Sequence, residues 1–240
     1  MKPVNKTIWI LLFAIAMGYL ESAVVVYLRA LYYPEGFDFP LKEMSQITAI
    51  TEIYREAATL IMILAVSVLA AKHWLHRFAW FLVVFSTWDI AYYIFLKMLI
   101  GWPGSLLTSD ILFLLPSMWT GPVIAPVINS ITMIMLAWTI LFEGKGSVII
   151  LNLSRAVWAL LLAGTLIVLA TYMKDFANYM MEQRHLQPSG EVMWSEFMMI
   201  QSSQFIPGSF DWPLFSAGVF MHIVAIFFIL RSKINPHGKV

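Results

Sequence analysis

The chain contains no cysteine. That excludes disulfides, thiolate metal sites, iron–sulfur clusters and cysteine nucleophiles. Charge is also scarce: 12% of residues are Asp, Glu, Lys or Arg, and the net charge is +1. No basic patch stands ready to neutralise phosphates, so nucleic acid is not an expected partner. No HExxH or paired-histidine motif marks a familiar metalloenzyme. His222 is the only histidine inside a long apolar run, so a haem held by two intramembrane histidines lacks its second ligand. An inverted three-plus-three repeat is not visible, which counts against that transporter class.

Apolar sequence is abundant. Of 240 residues, 60% are hydrophobic, and mean hydropathy is +0.79. Soluble domains are about half apolar and about a quarter charged, so composition alone implies a membrane protein. A span needs about 20 mostly apolar residues. The runs 7–28, 47–71, 78–100, 120–142, 148–173 and 214–230 meet that need. The expected fold is all-α, a single polytopic domain over 1–240 built as a six-helix transmembrane bundle. The first run is too long for a signal peptide and lacks a small-x-small cleavage site, so it reads as an uncleaved anchor.

Loop charges set the orientation. Lys2, Lys6, Lys72, Arg77, Lys145, Arg231, Lys233 and Lys239 fall on one side, with Arg155 close by. Arg29, Lys42, Lys174 and Arg184 are diluted in longer loops on the other. The positive-inside rule then makes both termini cytoplasmic, in a cytoplasmic (inner) membrane. Ser109–Asp110, Asp211 and Ser147 each stand where a helix is expected to begin, and an N-cap role is the plain reading for all three.

Against this background the intramembrane charges stand out. Charge inside a bilayer costs at least a few kcal/mol per residue, so Glu21, Glu52, Arg55, Glu56 and Asp89 need a reason to be there. Ser45, Thr48, Glu52, Arg55, Glu56 and Thr59 recur at helical spacing. They form a polar stripe on the outer half of span two, which implies a groove open to the outer side. Arg55 can neutralise Glu52 at i,i+3, or reach Glu21 or Asp89 on a neighbour.

At about 1.5 Å of rise per residue, Glu21, Glu56 and Asp89 lie roughly 15–22 Å above the inner boundary of the core. His222 comes to roughly 18 Å and Asn129 to about 20 Å. Five helices thus bring polar residues to one height. Glu56, Asp89, His222 and Glu21 are the expected catalytic groups, with Glu52, Arg55 and Asn129 as substrate-binding groups. Carboxylate and imidazole also suit a divalent cation, with Glu56, Asp89 and His222 as its ligands. Such a metal would activate water against a lipid-soluble ester or amide. Two other readings stay open: a small proton- or ion-coupled carrier, and a non-catalytic subunit held in its complex by buried charge.

Two segments resist a simple span. Pro116, Gly121, Pro122 and Pro126 break the entry to span four. A short outer half-helix, then a new helix near Pro122 with its N-terminus facing the polar layer, is one reading; a proline-kinked entry is the other. The outer loop 174–213 is long for a bundle connection. Met180, Met181, Met193, Met198 and Met199 lie in it with His185. They read as the apolar face of surface helices and, less well, as Cu(I) ligands. The same loop suits a lid or a docking surface for partner subunits.

Overall fold

The computed structural model describes residues 3–141, 153–183 and 194–234. The order is α1 (Pro3–Tyr32), α2 (Gln46–Ala70), α3 (Trp74–Ile100), β1 (Ser109–Phe113), β2 (Trp119–Pro122), α4 (Ile124–Leu141), α5 (Arg155–Gln183), α6 (Trp194–Gln204) and α7 (Trp212–Ile234). Among the described residues, six helices (α1 to α5 and α7) are long and apolar enough to cross a membrane. The chain is therefore a multi-pass helical membrane protein.

Local sequence explains where these helices start and stop. Ser45 caps α2, its side chain accepting from the Thr48 N–H. Ser154 Oγ accepts from the Val157 N–H at 3.3 Å and caps α5. Ser147, the cap expected for this helix, lies outside the described residues. Asp211 caps α7 as expected, its Oδ1 accepting from the Leu214 N–H at 3.1 Å. α3 stops at Gly101, which takes a left-handed φ of 70° that a side chain would disfavour.

The helices meet through small residues. Lipid is as apolar as leucine, so close backbone approach rather than hydrophobic burial selects the contacts. Gly18 of α1 lies against Ala91 and the Trp88 carbonyl of α3. Gly164 of α5 and Gly218 of α7 lie against each other, and a Cβ on Gly164 would stand 2.8 Å from the Gly218 carbonyl. α3 forms the centre, touching α1, α2 and α4; α5 and α7 pair beside it.

Two expectations fail here. The half-helix ahead of Pro122 does not form, because 109–122 is an antiparallel hairpin pairing Ser109 with Pro122, Asp110 with Gly121 and Ile111 with Thr120. Ile, Phe, Trp and Thr favour strands, and Pro122 ends β2, where its missing N–H costs little. Asp110 is accordingly a buried strand residue and not an N-cap. α4 begins past the hairpin, with Pro126 in its first turn. The amides of Val123 and Ile124 donate to the Thr108 and Leu106 carbonyls at 3.0 and 2.9 Å, so they do not present a vacant anion site. In the segment 174–213, α5 continues to Gln183 and α6 follows. Phe176 of α5 lies edge-to-face on Phe205, just after α6. The expectations for Arg184, His185 and Met193, and for the Trp194, Met198 and Met199 side chains, fall outside the described residues.

Candidate functional site: a charged cavity between α1, α2, α3 and the hairpin

The polar stripe of α2 faces inward. Glu52 and Glu56 are 8% and 6% exposed, whereas Tyr54 on the opposite face is 71% exposed. Arg55 sits between them and reaches two ways. Its Nε donates to Glu52 Oε2 at 2.8 Å, and its Nη1 is ion-paired with Glu21 Oε1 of α1. One guanidinium therefore serves two carboxylates, and the contact locks Glu21 level with Arg55.

Glu56 and Asp89 are held differently. Glu56 Oε2 accepts the Leu114 N–H at 2.8 Å, which pins the hairpin tip to the third turn of α2. Asp89 Oδ2 accepts from the Ser130 hydroxyl of α4 at 2.8 Å. Among the described residues, neither carboxylate has a Lys, Arg or His nitrogen within salt-bridge distance. Two acids are thus positioned by neutral donors and stand outside any ion pair, with Arg55 acting on Glu56 only at longer range.

A further pair lies toward the C-terminal end of α1. Arg29 Nη2 stands 3.4 Å from Asp110 Oδ1, and Tyr93 donates to Asp110 Oδ2 at 3.3 Å. The guanidinium also lies over two rings, 3.7 Å from the Trp102 centroid and 4.5 Å from that of Phe37. Burial pushes the Asp110 carboxyl up to about 6, outweighing Arg29, the Ile111 N–H and Tyr93, which all pull it down.

The charged members of these arrangements, with Tyr93 and Phe37, line one cavity of about 470 Å³. That size suits a small-molecule site. Glu21, Arg29, Lys42, Glu43, Glu52, Arg55, Glu56, Asp89 and Asp110 supply the charge. Val25, Leu28, Ile50, Ile53, Trp88 and Phe113 supply apolar wall. Ile50 and Ile53 line this wall and are 43% and 41% exposed, on a helix long and apolar enough to cross a membrane. A second, polar cavity of about 550 Å³ lies between the hairpin, α5 and the start of α7, with Lys174, Asp175, Asn178 and Asp211 in its wall. Lys174 donates to Asp211, which holds the partly exposed Asp211 carboxyl below its usual value.

Of the residues expected in one site, Glu21, Glu52, Arg55, Glu56 and Asp89 are brought together, while His222 and Asn129 are not. His222 is packed between α7 and α5, its Nε2 3.2 Å from Thr165 Oγ1 and 3.3 Å from the Leu161 carbonyl, and it does not line the cavity. Asn129 Nδ2 points to Met133 Sδ at 3.6 Å, and its neighbour Ser130 makes the contact with Asp89. One residue along a helix is about 100° of rotation, which height along the axis does not reveal. The metal set Glu56, Asp89 and His222 is therefore not assembled; among the described residues no three His, Asp or Glu side chains are grouped so as to hold an ion. Arg29 and Asp110 are not among the residues expected from sequence. Arg29 had a signal, standing eight residues beyond Glu21 on the same helix face. Asp110 had none, because the hairpin places it.

Comparison with known proteins adds no relative: no family model matches the chain, and neither a curated protein nor a solved structure does.

Proposed function

We propose that this protein is an intramembrane enzyme, a hydrolase or transferase, that takes a lipid-soluble substrate into the cavity from the outer half of the bilayer. Both termini lie on the cytoplasmic side of a cytoplasmic membrane. The observation that carries this reading is the pairing of an apolar wall with two carboxylates that make no ion pair among the described residues, the buried Glu56 and the half-buried Asp89. A structural network would be expected to neutralise its charges. General acid–base work needs the reverse: acids held in place by neutral donors, free to gain or lose a proton. Glu56 and Asp89 divide those roles. Arg55, bound by Glu21 and Glu52, holds α1 and α2 in register and presents positive charge to a substrate oxygen. Glu21 is thus a positioning residue rather than a catalytic one.

The same unpaired carboxylates favour a second reading, a proton-coupled carrier. One experiment tests both. The purified protein is reconstituted in liposomes with a total membrane-lipid extract, alongside Glu56→Gln and Asp89→Asn. Mass spectrometry reads new products, and a leaflet-accessibility assay reads movement. A product formed by wild type and lost in both folded variants supports the enzyme. Movement without a product supports the carrier. If both variants keep whatever activity wild type has, the two carboxylates do no chemistry and the proposal fails.

A further inference from the structure

Arg29 is a charged side chain in a position that ordinary stability does not explain. Its side chain is 9% exposed. Among the described residues its Nη1 is the one buried cationic nitrogen without a hydrogen-bond partner. Leaving such a donor unmade inside a protein is costly. The Asp110 contact is long, at 3.4 Å, and uses Nη2 alone. Trp102 and Phe37 offer their ring faces and so fix the guanidinium without occupying its donors. The arrangement resembles a held fork with one tine free.

Other donors share this end of the cavity. The Tyr33 hydroxyl accepts from the Lys42 backbone N–H at 2.7 Å, which leaves its own proton to donate. Tyr33 and Lys42 both line the cavity beside Arg29. A planar guanidinium with a hydroxyl donor on the same cavity wall matches a tetrahedral oxyanion that accepts from several directions.

We propose that Arg29 binds the phosphate head group of an amphiphile whose apolar part occupies the same cavity. This rests on the reading of the cavity as a site for a lipid-soluble substrate and names that substrate's class. Arg29 lies eight residues beyond Glu21 on α1, about 12 Å of helix rise. The Glu21–Arg55 pair sets Glu21 level with the α2 carboxylates. The substrate therefore carries its phosphate about 12 Å outward of the group that meets Glu56.

The test uses the full chain in neutral detergent, with native mass spectrometry as the readout. The probes are dodecyl phosphate, dodecanol, dodecylamine and inorganic phosphate. The expected result is that dodecyl phosphate binds wild type at least ten-fold more tightly than dodecanol. Arg29→Gln removes that preference and leaves dodecanol binding unchanged. Because Arg29→Gln strands Asp110, the paired variant Arg29→Gln/Asp110→Asn is measured too, with a thermal melt to establish its fold; it is expected to lose the same preference. Equal binding of dodecyl phosphate and dodecanol, or tighter binding of dodecylamine, overturns the head-group assignment and leaves the cavity reading intact. Inorganic phosphate that displaces dodecyl phosphate equally well, mole for mole, shows a free-phosphate site and overturns the amphiphile. Binding of no amphiphile at all defeats the cavity reading itself.

Discussion

Arg55 shows how much one side chain decides. It is the shared partner of Glu21 and Glu52, with 21% of its own side chain exposed. Removing one partner of a buried ion pair costs about 3–5 kcal/mol, because the other charge stays behind. Partial exposure puts Arg55→Met at the low end, roughly 3 kcal/mol by denaturation in detergent. Combining it with Glu21→Gln and Glu52→Gln should recover most of that loss. No recovery would mean that the three residues do not act as a unit.

Asp110 gives a pH signature. Its native value of about 6 lies above the 3.8 of an unburied Asp, so the native state keeps its proton to higher pH than the unfolded chain. The contribution of Asp110 to stability therefore falls as pH rises from about 4 to about 6 and is level above that. The melting temperature of wild type, taken relative to Asp110→Asn, should drop across that window. A flat difference would show that Asp110 does not titrate there.

The hairpin matters at the scale of elements. Its tip is tied to α2 through Leu114 and Glu56, level with the third turn of that helix. Backbone that is neither helix nor closed barrel is tolerated at such depth only when protein or a cavity surrounds it. Glu56→Gln retains an acceptor for the Leu114 N–H, whereas Glu56→Ala leaves that donor unmade. The alanine variant should lose about 1–3 kcal/mol of stability and the glutamine variant much less. If activity falls equally in both, its loss is chemical; if it falls only with alanine, Glu56 acts by holding the hairpin. The α5–α7 contact is tighter still. A Cβ at Gly164 would meet His222 Cδ2 at 2.7 Å and the Gly218 carbonyl at 2.8 Å. Gly164→Ala should therefore destabilise by about 1–3 kcal/mol, since backbone must move. This contact also explains His222: it fills the space a glycine leaves and bonds to α5, a helix-packing role.

At the scale of the whole molecule, the orientation sets what can reach the cavity. The chain has no cysteine, so single introduced cysteines report cleanly. Gly104, in the exposed loop after α3, has nothing near its Cβ position. Lys72, between α2 and α3, is exposed at the opposite end. In intact cells a membrane-impermeant maleimide should label Gly104→Cys directly and Lys72→Cys only after lysis. The reverse pattern would turn the bundle over and open the cavity to the cytoplasmic half.

The sequence by itself determined the spans and most of the charged layer. Hydropathy and helical spacing are local properties, readable wherever about 20 apolar residues run together or polar residues recur every three or four. Glu21, Glu52, Arg55, Glu56 and Asp89 were legible on that basis, because charge inside a span is conspicuous. The tertiary structure alone decided which of them meet. Equal height did not bring His222 or Asn129 to the cavity, since the direction a residue faces depends on how helices pack. Nor did any local pattern announce that Asp110 would fold back on a hairpin to meet Arg29, 81 residues away in the chain. That pairing is a long-range contact, and long-range contacts are set by packing rather than by sequence spacing.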